Sequence, residues 1–88
     1  MGKDLVDIQG YRSAIGAGDH AHWVMFEETL LGRRISQTML QFVVVAYDFA
    51  QATWYIAGWF SHMREGRFLL EKLRRKGKAA KLLRLKEV

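Results

Sequence analysis

Ten of the fourteen Lys and Arg side chains in this 88-residue chain fall after His62, where only three carboxylates accompany them. The chemistry open to such a segment is contact with phosphate, because clustered ammonium and guanidinium groups displace counterions from phosphates they neutralise. Arg74, Arg75, Lys76, Lys78, Lys81 and Arg84 form the predicted contact cluster. No aromatic or amide side chains are interleaved with it to read base edges, so recognition by charge alone is expected. Nucleic acid and anionic lipid head groups both present such phosphates, and the cluster by itself favours neither.

Other reactive groupings are sparse. The sequence holds no Gly-rich phosphate loop ending in Lys-Ser or Lys-Thr, no His-Glu-x-x-His pair and no Cys nucleophile. A non-enzymatic chain is predicted, with no cofactor, no metal and no small-molecule substrate. His20 and Glu27 would share one side of a helix, but His22 would not. These histidines therefore read as helix-start residues bonded to backbone or water. Asp48 stands alone in an apolar stretch, which suits either an ion or proton site or a device that fixes register between packed helices. The register role is the expected one.

That apolar stretch, residues 39–60, carries a single charge and, as a helix, would cover about 30 Å, the thickness of a bilayer core. At helical spacing Gln41, Asp48 and Gln51 fall on one narrow polar stripe. Ala46, Ala50, Thr53, Ala57 and Ser61 form a second seam, of small residues that let two helix backbones approach closely. Trp54, Tyr55, Trp59 and Phe60 supply either an interfacial aromatic belt or packing area between helices.

The predicted fold class is all-α, a single helical unit over residues 1–88. Residues 1–18 are an arm, with a short amphipathic stretch at Leu5, Val6 and Ile8 followed by Gly10, Gly16 and Gly18. Asp19 and Ser36 are N-caps for one helix or a helix pair over 19–63, and residues 64–88 form a basic amphipathic helix. Within that last helix Leu69, Leu73, Ala80 and Leu83 line one side, and Gly66 and Gly77 are expected to kink or hinge it. The start of the chain lacks the apolar run of a secretory signal. A chain this short buries little over half of its surface, and without Cys it has no disulfide to supplement the core. Packing against copies of itself or against other helical subunits is therefore expected.

Asp4, Asp7, Glu27 and Glu28, then the apolar and aromatic run from Phe42 to Phe60, then the basic run from Arg64 to Lys86 follow one another along the chain. In organisation, this order resembles the major coat proteins of filamentous bacteriophages and similar helical viruses. The resemblance implies stacked helices with basic ends toward a genome. On this basis the expected function is a structural subunit of a helical assembly, virion or membrane-associated, with its basic end on phosphates. A single-span accessory subunit with its C-terminus in the cytoplasm, and a soluble helical nucleic-acid-binding protein, are the alternatives.

Overall fold

In the computed structural model, which describes residues 3–9 and 41–87, the apolar segment is a β-hairpin and not a helix. The elements are β1 (Lys3–Gln9), β2 (Phe42–Asp48), β3 (Thr53–Phe60), α1 (Met63–Arg75) and β4 (Ala79–Glu87). The strands form one sheet in the order β1-β4-β2-β3, with every neighbouring pair antiparallel. The expected all-α class is thereby overturned. Among the described residues no helix is long and apolar enough to cross a membrane, so the transmembrane reading of residues 39–60 falls with it. The helix predicted from Asp19, the metal group His20, His22 and Glu27, and the cap Ser36 lie outside the described residues.

The physical reason lies in β2. Val43, Val44 and Val45 are β-branched, stiff about χ1 and suited to a pleated surface. The strand is central, and Val43 to Tyr47 are buried whichever face they point to. A strand buried on both faces needs apolar residues at every position, so its sequence loses the alternation that betrays a half-exposed strand. Tyr47 pairs with Trp54 and Asp48 with Thr53 across the hairpin. Asp48 Oδ1 accepts hydrogen bonds from the amides of Ala50 at 2.9 Å and Gln51 at 3.4 Å, so this carboxylate builds the turn. The loop closes at Ala52, whose φ of 53° lies in the left-handed region.

Each sheet face carries its own core. On one face Val44, Ala46, Ala80 and Leu82 pack with Leu70 and Leu73 of α1, and Phe42, Tyr55, Ala57, Phe60 and Ile8 border them. On the other, Val43, Val45, Tyr47, Trp54, Ala79 and Leu83 form a second cluster with Ile56, Trp59 and Leu85 at its margin. The register shifts between Val44 and Val45, so that Val44 faces Gly58 and Val45 faces Ile56, and Trp59 joins the cluster of Trp54 and Ile56 while Phe60 joins that of Tyr55 and Ala57. Ala57 is the extra residue of this bulge.

α1 buries Gly66, Leu70 and Leu73, a spacing of four and three that places all of them on one stripe. The helix runs on through Gly66. This glycine sits buried within α1 where a Cβ would come within 2.7 Å of Leu82 Cδ1, so the missing side chain lets helix and sheet approach. Gly77 ends the helix, with φ at +77°. Its amide bonds to the Arg74 carbonyl at 2.9 Å and the Lys78 amide to the Leu73 carbonyl at 3.0 Å, the paired bonds of a Schellman cap. The basic C-terminal segment is thus helical only to Arg75 and then returns as strand β4. β3 and β4 are both antiparallel to β2, so α1 is a crossover that steps over β2 and brings the chain back to the hairpin end. Residues 3–9, expected as part of an arm, pair with β4 as an edge strand.

Candidate functional site

The direction of α1 decides where the charge goes. The helix starts beside the end of β3, runs back over the sheet and finishes at the hairpin end, where Ala79 pairs with Tyr47. Its last turn and the Schellman turn deliver Arg74, Arg75, Lys76 and Lys78 to that end, near the loop of residues 49–52. Arg75, Lys76 and Lys78 are exposed and Arg74 is half-buried. Cations at this terminus also complement the partial negative charge of the helix dipole. Lys78 reaches over the helix-bearing face, where its Nζ donates to Tyr55 Oη at 3.4 Å and stands 5.8 Å from the Tyr55 ring centroid. Ala46 pairs with both Ala80 and Tyr55, and it is too small to obstruct that reach.

The other two members of the predicted phosphate cluster lie elsewhere. Lys81 is only 7% exposed and points to the opposite face, its Nζ 5.3 Å from the Trp54 ring centroid. Arg84 is exposed on β4, opposite Phe42 and Val6, and about 17 Å further along the strand than Ala79. The fold therefore brings four of the six together.

Neither helical stripe forms. Gln41 sits just before β2, with its amide bonded to the Phe60 carbonyl and its carbonyl to the Leu85 amide. Asp48 ends the same strand, and Gln51 is in the exposed turn. Of the small-residue seam, Ala46 is buried in the helix-side core, Ala50 lies in the turn and Thr53 starts β3. Ala57 is at the bulge and Ser61 follows the strand. Two strands and a turn cannot present these residues as one line.

A feature the sequence reasoning missed lies along the outer side of α1. Arg64, Phe68 and Lys72 follow one another at intervals of four, and Phe68 is 68% exposed between the two cations. With Phe60, Glu65 and Leu69 they line a groove of about 440 Å³. That volume lies in the range of small-ligand sites. Its walls are aromatic and aliphatic, and its charged lining is two cations to one carboxylate. Among the described residues the groove lining includes no histidine and no second carboxylate to act with Glu65. Such a site suits holding a flat, apolar group attached to an anion. The signal available in the sequence was Phe68, an aromatic residue on the charged side of an amphipathic helix.

At the hairpin tip Phe49 is 62% exposed, and its ring meets Tyr47 edge-on with centroids 5.0 Å apart. Tyr47 in turn meets Trp54 edge-on at 5.3 Å. The basic end of the sheet thus carries an exposed aromatic ring braced by two buried ones. Comparison of the chain with protein-family models, curated proteins and solved structures gives no match.

Proposed function

We propose that this chain is a non-enzymatic, sequence-tolerant nucleic-acid-binding protein that holds phosphates with the outer side of α1 and the turn after it. One observation carries the reading. From Met63 to Lys78 the chain has seven basic and two acidic side chains, while the inward stripe of Gly66, Leu70 and Leu73 commits the other side to the sheet. Amphipathicity therefore concentrates positive charge on one surface, as phosphate binding requires. The exposed rings of Phe49 and Phe68 add apolar contact area to it. None of these groups is arranged with the fixed amide pairs that read a base sequence.

Fluorescence anisotropy with labelled oligonucleotides of several unrelated sequences tests the proposal. Wild-type protein should bind them with similar affinity, and replacing Arg75, Lys76 and Lys78 together by Ala should weaken every one at least about tenfold. Arg84→Ala, at the far end of β4, should have the smaller effect. A triple variant that binds like wild type, or strong selection of one sequence, would overturn it.

A second reading, self-association into an assembly, is favoured by β3, which among the described residues is an edge strand. Its eight residues include no charge and no Pro, the usual protections of an exposed edge. Sedimentation across a concentration series should then show a dimer or larger species, and a monomer throughout would dismiss this reading.

A further inference from the structure

We infer that the groove between α1 and β3 is a stacking site for an unpaired base, so that the protein prefers single-stranded nucleic acid to duplex. This rests on the phosphate-binding reading above and names the form of nucleic acid it takes. Phe68 is not used by the core, because the inward stripe is complete without it and its ring is 68% exposed. The facing wall is preformed. Phe60 folds back over Gly58, where a Cβ would come within 2.9 Å of Phe60 Cζ and 3.3 Å of Leu69 Cδ2. Glycine at that position lets the ring lie close to the β3 backbone. Leu69 completes the floor.

Charge complementarity identifies the occupant. Arg64 and Lys72 stand one helical turn before and after Phe68, so a ring seated against Phe68 has a cation on either side along the groove. A nucleotide in a single strand has this form, a flat base with a phosphate preceding and following it. Stacking on an aromatic side chain tolerates any base, because every base offers a π-face. A duplex keeps its base faces inside the helix, and presenting one requires unstacking and unpairing. An uncharged apolar ligand would leave both cations unused.

The test compares oligothymidylate of about 20 nucleotides with a hairpin duplex of matched phosphate count, using wild-type protein, Phe68→Ala and Phe68→Tyr. The single strand should bind wild type at least about tenfold more tightly than the duplex. Phe68→Ala should lose about five- to a hundredfold on the single strand and little on the duplex, whereas Phe68→Tyr should keep wild-type affinity. Because the ring is exposed, thermal unfolding of the Ala variant should match wild type. Equal binding of both nucleic acids by wild type and by Phe68→Ala would overturn the stacking site and leave the phosphate-binding reading standing. Binding of neither nucleic acid would overturn both. Phe68-dependent binding to phosphatidylserine vesicles without nucleic-acid binding would also overturn both, and assign the groove to lipid.

Discussion

Replacing Gly66 by Ala tests whether α1, which carries the cationic surface, is seated on the sheet as described. Two effects oppose one another. Inside a helix Ala is favoured over Gly by about 1 kcal/mol. Against that, the new Cβ would stand 2.7 Å from Leu82 Cδ1, well inside the roughly 3.5 to 4.0 Å at which carbon atoms settle. Leu82 is fully buried and cannot swing into solvent, and Val44 and Phe60 atoms stand 3.6 Å from the same point. Overpacking at such a site typically costs about 1 to 3 kcal/mol, so the overlap outweighs the propensity gain and a net loss of about 1 kcal/mol is expected. Leu82→Val removes the obstructing methyl at a cost of roughly 1 to 2 kcal/mol of lost burial. In that background the Gly66→Ala change should add stability, because only the propensity gain remains. Urea denaturation of the four proteins in the double-mutant cycle should therefore show a coupling of about 2 kcal/mol and a reversal of sign. Additive effects, or a stabilised Gly66→Ala single variant, would refute the close approach of helix and sheet.

Three further outcomes follow from the turns. Ala52→Gly should stabilise the protein by roughly 0.5 to 1 kcal/mol in thermal unfolding, since φ at 53° strains Ala but not Gly. Gly77→Ala should cost about 1 kcal/mol, because φ at +77° is imposed by the Schellman cap, although open space surrounds the position. Asp48→Ala should cost about 1 kcal/mol by removing the acceptor of two turn amides, and Asp48→Asn, which keeps a side-chain oxygen, should cost less. Ala52→Gly, which changes no charge and lies outside the turn after α1, should not alter nucleic-acid affinity by more than about twofold, which anisotropy on the same samples would check.

What the sequence made legible was the cationic segment and the amphipathic character of its first half. Met63–Arg75 does form a helix with one apolar side, but of the expected Leu69, Leu73, Ala80 and Leu83 only Leu73 is in its buried stripe, which Gly66 and Leu70 complete, while Ala80 and Leu83 lie in β4. The hairpin was not legible, and β2 shows why. Burial on both faces makes its residues continuously apolar, and a continuous apolar run has no period to distinguish strand from helix. Three adjacent Val residues were the composition signal for a strand. The turn hid itself as well. It has neither Gly, Pro nor Asn, and instead uses the Asp48 carboxylate and a left-handed Ala52, so the two strands read as one segment of bilayer length. Lys81 shows the same limit within the site. Its place in a basic run suggested a solvated phosphate contact, but β-strand alternation turns it to the face opposite Tyr55 and Lys78, where Trp54 covers it. The groove was missed because Phe60 of β3 and Phe68 of α1 come to line one groove only once the helix folds back onto the sheet.

Phosphate binding by charge at the outer side of α1 and the turn after it is read out by the salt dependence of binding to a single-stranded oligonucleotide. The logarithm of affinity should fall linearly with the logarithm of salt concentration, with a slope of about 0.7 for each phosphate neutralised. Replacing Arg75, Lys76 and Lys78 by Ala should lower the magnitude of that slope by about 2, one phosphate contact for each cation removed. A wild-type affinity indifferent to salt, or a slope unchanged in the triple variant, would rule out phosphate contact by these cations.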